Sequence, residues 1–222
     1  MKSSDRQLVD QVFSDQVVAG GEVRNLEARR SDLSGWRMWD SRVAGLKLVE
    51  SRFNYCWSDG CRLEGLSFDH CLCEHGCYSR CQWEKFSATS SFFTAGHFSE
   101  CSFSQSGVGL NSFGLCVFED TVFRHSRMSE VSFIGSVWWG CVLEDEDYFF
   151  VRFPSAIFIR TVFSRCVLRK AIFRQARFID CRLVSCQLPE AVFENAQFEN
   201  TILEDTDLKQ AANLSGVQGV RL

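Results

Sequence analysis

The sequence predicts an all-β fold, a four-sided solenoid of about nine coils forming one elongated domain. Two observations predict it. Large apolar residues recur at every fifth position from Leu33 to Leu208, and the positions two residues earlier are almost all small. A period of five fits neither the 3.6-residue turn of a helix nor the alternation of a flat strand. The chain must therefore be built from a short repeating structural unit.

The two phases of the repeat are nearly unbroken. All but three of the 36 large-phase positions (Ser58, Cys73 and Ala88) are Leu, Phe, Met, Val, Trp or Tyr, and sixteen of the 21 phenylalanines fall there. The small phase holds Ala, Ser, Thr, Cys or Gly at 28 of 36 positions. With only these two positions facing inward, the chain must turn a corner in each repeat, and four corners close a coil of 20 residues.

Turn-forming residues lie where those corners are expected. Seven of the 15 glycines follow the large phase by two residues, where a turn with positive φ is expected. Both prolines, Pro154 and Pro189, follow it by one residue, at the turn position that prefers φ near −65°. The corners therefore come directly after each large residue.

Clear copies of the repeat occupy residues 191–195, 196–200 and 206–210. Their pattern of a small residue, a variable or acidic residue, Leu or Phe and two polar residues resembles the pentapeptide-repeat family. The resemblance implies a right-handed quadrilateral parallel β-helix, which we place at residues 21–210. After Leu208 the phase slips by one residue, so residues 211–222 are predicted to form a C-terminal cap or tail.

Residues 1–20 are predicted to form a separate N-terminal capping segment. A helix would place Leu8, Val12 and Phe13 on one side and would cover the open end of the solenoid. Leu8 and Phe13 also lie on the five-residue phase, so a degenerate first coil is the alternative. We predict a helical cap.

The 12 cysteines follow the repeat. Ten lie on the small phase and Cys73 on the large phase, which predicts buried free thiols acting as small apolar residues. Many unpaired thiols are typical of a reducing compartment, so a cytoplasmic location is expected. Only Cys77 has an outward phase.

Metal binding and catalysis are not expected. Residues 70–77 contain two histidines and three cysteines, but the phases direct Cys71 and Cys73 inward and the others outward on different faces. Zinc requires convergent ligands. No phosphate-binding loop or catalytic constellation is present, so we predict a non-enzyme without cofactor, metal, membrane or direct nucleic-acid binding.

Glu146 departs from the repeat, because it occupies an inward small-phase position. An unpaired carboxylate inside the coil would cost several kcal/mol. We therefore predict a bulge or loop at residues 144–150, with a regular coil that tolerates the carboxylate as the alternative.

Two candidate surfaces follow from counting in steps of 20. Large apolar residues accumulate in outward columns, which is uncommon for solvent-facing positions. The candidate interaction surface comprises Val117, Val137, Trp139, Ile157, Ile159, Ile179, Phe149 and Phe150. The candidate charged surface comprises Arg160, Arg165, Arg169, Lys170, Arg174 and Arg177. An acidic run at residues 190–207 follows the basic one, so pairing between adjacent coils is the structural alternative.

The expected function is a rigid scaffold for protein–protein interaction, with a protein partner or a second copy as ligand. The resemblance also suggests a DNA-mimicking regulator of type II topoisomerase, like the quinolone-resistance members of the family. The small net charge of −4 and the basic segment oppose that hypothesis. A secreted bacterial effector or secretion-system accessory protein is a third hypothesis.

Overall fold

The computed structural model describes residues 2–3 and 6–219. The chain winds as a parallel β-solenoid of about ten coils, which confirms the predicted fold class. Each strand pairs with the strand 20 residues later, as Val43 does with Leu63 and Leu63 with Trp83. Every coil has four sides, which we number faces 1 to 4 in chain order. Faces 1, 2 and 4 are parallel sheets, and face 3 is held by isolated bridges.

The strands are short and occur once per coil on each sheet. Face 1 contains Lys2–Ser3, Glu22–Arg24, Arg42–Ala44, Arg62–Glu64, Gln82–Glu84, Ser102–Ser104, Val122–Arg124, Val142–Glu144, Val162–Ser164, Arg182–Val184 and Ile202–Glu204. Face 2 contains Arg6–Val9, Leu26–Arg29, Lys47–Val49, Ser67–Asp69, Ser87–Thr89, Gly107–Gly109, Arg127–Ser129, Asp147–Phe149 and Val167–Arg169. Face 4 contains Val17–Ala19, Arg37–Trp39, Trp57–Asp59, Cys77–Ser79, His97–Ser99, Val117–Glu119, Val137–Trp139, Ile157–Ile159, Arg177–Ile179 and Gln197–Glu199.

The corners are made by residues in the left-handed backbone region. Every fifth residue from Asp10 to Asp205 has positive φ, and 33 of these are not glycine, with φ between 46° and 59°. None of these positions holds Val, Ile, Thr or Pro. Side chains branched at Cβ clash with the backbone in this region, whereas Gly, Asn, Asp and His tolerate it best. Their absence explains the composition of this phase.

Small-phase side chains bind main-chain carbonyls inside the corners. Thr121 Oγ1 donates to the carbonyl of Glu119, two residues back, and to that of Phe98 in the preceding coil, both at 3.0 Å. Cys81 Sγ makes the equivalent contacts with Ser79 and Ser58. A short donor is required to reach these oxygens, so the phase prefers Ser, Thr and Cys.

Large-phase rings form continuous stacks along the solenoid. On face 3, Phe93 and Phe113 lie 4.7 Å apart between centroids and are nearly parallel, and the same stacking continues to Phe193. A parallel stack on face 4 extends from Tyr78 to Phe198. The ring spacing follows the distance of about 4.8 Å between neighbouring strands.

The predicted N-terminal helix is wrong. Arg6–Val9 and Val17–Ala19 are strands that pair with the next coil, so the first coil is β-structure and the solenoid has about ten coils rather than nine. Its small-phase positions are polar. The guanidinium of Arg6 lies 4.6 Å from the centre of the Phe13 ring, and Gln16 Nε2 donates to Ser14 O. These side chains cover the end of the core without a helix. Residues 1, 4 and 5 of the predicted cap lie outside the described residues.

The predicted one-residue slip near the C-terminus is confirmed. A 3₁₀ helix at Leu208–Gln210 takes up the additional residue, and Asp207 caps it by accepting from the Lys209 amide. Beyond it, Asn213 forms a bridge with Val192, 21 residues earlier instead of 20. The tail prediction extends to residues 220–222, which lie outside the described residues.

The predicted loop at residues 144–150 is also wrong. Val142–Glu144 and Asp147–Phe149 are regular strands, and the Glu146 side chain is buried in the coil. Its Oε1 accepts from the Ser126 amide at 3.1 Å, while Oε2 and the nearby Tyr148 hydroxyl have no hydrogen-bond partner among the described residues. Burial raises the pKa of Glu146 to about 8, against the smaller opposing effects of Ser126 and Tyr148. The group therefore enters the core as a neutral acid.

Eleven of the cysteines are buried and free, and Cys77 is exposed. Burial raises the pKa of Cys56, Cys116 and Cys141 to about 12, so these thiols stay protonated at neutral pH. The thiolate is the reactive form. The core thiols are therefore protected both by burial and by protonation.

The left-handed corners predict an unusual substitution pattern. Gln175, at an exposed corner with φ of 57°, makes no side-chain contact that favours glutamine. We expect Gln175→Val to lower the free energy of unfolding by about 1 to 2 kcal/mol, because a branched side chain is strained there. Gln175→Gly should maintain or raise it. Gln82→Val, at an exposed strand position, is the matched control and should change little. Equal losses at both positions in urea denaturation would contradict the interpretation.

Glu146 predicts a stability that falls with rising pH. Its pKa is raised from 4.5 to about 8 on folding, so the unfolded chain ionises first and folding must take up a proton. Its contribution is complete below pH 4.5 and is lost between pH 4.5 and 8, at about 1.4 kcal/mol per pH unit. Glu146→Gln should remove this slope from the unfolding free energy measured by urea denaturation. Glu130→Gln, at an exposed position, is the control and should leave the slope unchanged.

The thiols predict a simple labelling stoichiometry. In the native protein, we expect one thiol to react rapidly with a bulky aromatic disulfide reagent, and all twelve to react after denaturation. Cys77→Ser should abolish the rapid phase, whereas Cys181→Ser should retain it. More than one rapidly reacting thiol in the native wild type would show that the core opens on the labelling timescale.

Candidate protein-interaction surface

Six of the apolar candidates form one continuous array on face 4, which we call the face 4 patch. The strand register places Val137 beside Val117 and Ile157, and Ile159 beside Trp139 and Ile179. Trp139 is 43% exposed and Val117 is 37% exposed, while the other four are half-buried. The side chains between the two columns point inward and belong to the aromatic stack. The patch is therefore flat, apolar and backed by a rigid core.

Arg160 borders the face 4 patch. It occupies the corner after Ile157–Ile159, and its guanidinium lies 5.5 Å from the centre of the Trp139 ring. A guanidinium over an indole face is attracted by the ring electrons. This contact fixes the exposed tryptophan and assigns Arg160 to the edge of the apolar patch.

Phe149 and Phe150 lie elsewhere, on face 2 and its following corner. Because faces 2 and 4 are opposite sides of the coil, the eight apolar candidates belong to two surfaces. The two phenylalanines lie near a shallow groove at the corner between faces 2 and 3. Its lining comprises Phe92, Leu110, Asn111, Ser112, Glu130, Ser132, Phe150 and Arg152. Sequence reasoning missed Leu110, although its position one coil before Glu130 and two before Phe150 could have identified it.

A second apolar cluster on face 4 lies near the N-terminus. Trp39 and Trp57 are 36% and 41% exposed, and their ring centres lie 6.3 Å apart. Val17 is also exposed there. Sequence reasoning missed this cluster too, because charged residues interrupt its columns and only neighbouring coils bring the two rings together.

Several of the charged candidates pair with acids on adjacent coils. Arg165 contacts Asp145 and Glu144, both at 2.7 Å, and its hydrogen bonds lower the pKa of both carboxyl groups. Arg174 pairs with Glu194 at 2.6 Å. Lys170 lies 3.6 Å from Glu190. Exposed pairs of this kind add little stability, but they neutralise much of the basic segment.

Two charged candidates differ from the others. Arg169, on face 2, and Arg177, on face 4, form no ion pair with any residue among 2–3 and 6–219. Arg177 continues the column of Val117, Val137 and Ile157. It therefore ends the face 4 patch with an unpaired positive charge.

The histidine and cysteine residues at positions 70–77 are dispersed. His70 Nδ1 lies 2.8 Å from Asp69 Oδ1, and the His75 ring stacks on Tyr55. Cys71 and Cys73 are buried. Within the described part of the chain, no group of three or more His, Cys, Asp or Glu could hold a metal ion. In the same residues, no helix is long and apolar enough to cross a membrane.

Solved structures with similar overall shape include HetL, a pentapeptide-repeat protein of heterocyst differentiation regulation from the cyanobacterium Nostoc sp. strain PCC 7120. It is 12% identical, with 94% of this chain and 90% of HetL covered and a TM-score of 0.44. Full-length QnrB1, a plasmid-mediated fluoroquinolone resistance protein, is also 12% identical, with coverage of 96% and 92% and a TM-score of 0.40. The catalytic domain of a GH87 α-1,3-glucanase is 11% identical, with coverage of 96% and 59% and a TM-score of 0.41. At these identities and scores, the likenesses carry no inference about activity.

Sequence comparison gives the family. No curated protein sequence matches significantly. The family model described as pentapeptide repeats matches eight copies, over residues 150–183 and 176–216. Upstream of the matched region, the same inward phases and left-handed corners continue back to the first coil. The chain belongs to the pentapeptide-repeat family.

Proposed function

We propose that the chain is a non-enzymatic scaffold that binds a protein partner through the face 4 patch. The observation that carries the proposal is the patch itself, in which six apolar side chains adjoin across four coils around the exposed Trp139. Contiguous apolar surface rimmed by polar residues is typical of protein interaction sites.

The rigidity of the coils favours this use. Each patch residue sits on a strand whose main chain is hydrogen-bonded to both neighbouring coils, as Val137 and Ile157 are. The aromatic stack behind the patch contains Phe118, Trp138 and Phe158, all fully buried. A surface held in this way loses little conformational freedom on binding, so a modest apolar area can give measurable affinity.

The titratable groups support a non-enzymatic function. The group with the pKa best suited to acid–base chemistry, Glu146, is only 1% exposed and lies inside the coil beside the buried Tyr148. A general acid or base must reach its substrate within hydrogen-bonding distance. Solvent-borne substrate has no access to this carboxyl.

DNA mimicry toward a topoisomerase is less well supported. That function would need an acidic face, but acids on this surface are repeatedly paired with arginine, as Glu64 is with Arg42 and Asp59 with Arg80. A supercoiling assay with DNA gyrase should show neither inhibition nor protection at stoichiometric excess. Either effect would favour DNA mimicry over the scaffold.

Partner capture tests the proposed function. Tagged wild type, Trp139→Asp and Trp57→Asp would be incubated with extract from the producing cells. Trp57 is a matched control, because it is on the same face and is 41% exposed, against 43% for Trp139. We expect Trp139→Asp to lose the specific partner and Trp57→Asp to keep it, with unchanged circular dichroism in both. Identical capture by all three proteins would contradict a role for the patch.

A further inference from the structure

We propose that the face 4 patch binds a second copy of this chain, packed antiparallel across a two-fold axis. This inference rests on the proposed function, since it names the occupant of the same surface. It follows from the arrangement of two charges at the ends of the patch.

The patch and its end charges form an array of four rows and two columns. From the N-terminal row to the C-terminal row, the array is Val117 and Glu119, Val137 and Trp139, Ile157 and Ile159, Arg177 and Ile179. Six positions are apolar, and the two charges have opposite signs and lie at diagonal corners. Arg177 has no ion-pair partner among the described residues, and Glu119 lies 3.6 Å from His97 Nε2.

An antiparallel two-fold arrangement makes this array self-complementary. In a symmetric dimer, the same surface of both copies meets and each contact occurs twice. An axis between the second and third rows, perpendicular to the coil stack, places row two on row three and row one on row four. Glu119 then lies beside Arg177 of the second copy, and Arg177 beside that copy's Glu119. The central apolar rows cover each other.

The corner residues fit the same arrangement. Arg160 follows the third row, and the corresponding corner after the second row is Gly140. In the antiparallel dimer these two corners face each other. The missing side chain at Gly140 leaves room for the guanidinium that covers Trp139.

A parallel two-fold arrangement leaves both charges unpaired. With the axis along the coil stack, each row meets itself with its columns exchanged. Glu119 would face Val117 of the second copy, and Arg177 would face Ile179. The two charges would be three coils apart, roughly 14 Å at the usual strand spacing. Covering an unpaired charge with apolar side chains is strongly unfavourable, so the charges select the antiparallel arrangement.

The narrow face limits the strength of this dimer. Each strand on face 4 has three residues, so the interface is at the low end of the area range of specific complexes. We expect a dissociation constant on the order of micromolar rather than nanomolar.

Sedimentation velocity of the full chain, from about 1 to about 200 µM, measures the equilibrium. Wild type should shift from monomer to dimer. Glu119→Arg and Arg177→Glu should each weaken self-association at least tenfold, because each places like charges together twice. Arg152→Glu is the matched control, since Arg152 lies on face 3 and has no ion pair among the described residues. It should dimerise like wild type.

Mixing the two charge variants tests the antiparallel register directly. Glu119→Arg and Arg177→Glu each repel their own kind, but an equimolar mixture brings opposite charges together at both sites. We expect the mixture to form heterodimer with affinity near that of wild type. A folding defect in either variant could not produce this rescue.

The failures are distinguishable. If wild type stays monomeric while Trp139→Asp still loses a captured partner, the second copy is not the occupant and the scaffold function stands. If wild type dimerises but the mixture shows no rescue, the antiparallel register is wrong. If capture and self-association are both insensitive to Trp139→Asp, the patch has neither function.

Discussion

The left-handed residue at every fifth position is the constraint on which the structure depends. It turns the chain after each pair of inward side chains, so four such residues close a coil and return the chain to the same face. The aromatic stacks then inherit their spacing from the hydrogen bonds between coils. Because the corner conformation excludes branched side chains, the sequence at corners is restricted even though those side chains face solvent.

The regular part of the fold could be predicted because inward and outward positions differ in size and polarity. The prediction failed at the first coil, where the polar Arg6 and Gln16 occupy small-phase positions and remove half of the signal. It also failed at Glu146, because a residue letter does not specify protonation. Burial changes that state, and a neutral acid with one amide donor fits where a carboxylate would not.

The candidate surface was predictable to the extent that it depends on columns. Counting in twenties placed Val137 beside Ile157 and Trp139 beside Ile159, and the strand register agrees. Counting did not show that Phe150 borders a groove on another side, because groove depth depends on side-chain conformations at a corner. It also could not show that Arg165 is neutralised while Arg177 is not, since both are arginines in one basic segment.

The 20-residue relation between neighbours makes chain length a quantised property. A single inserted residue would exchange inward and outward positions in every later coil. Five inserted residues would keep the core intact but rotate all downstream surfaces by one side, separating Glu119 from the column that ends at Arg177. Only a whole coil preserves both core and surface. Evolution by tandem duplication can therefore lengthen such a rod freely, whereas small insertions are tolerated only where the register already ends, as at Leu208–Gln210.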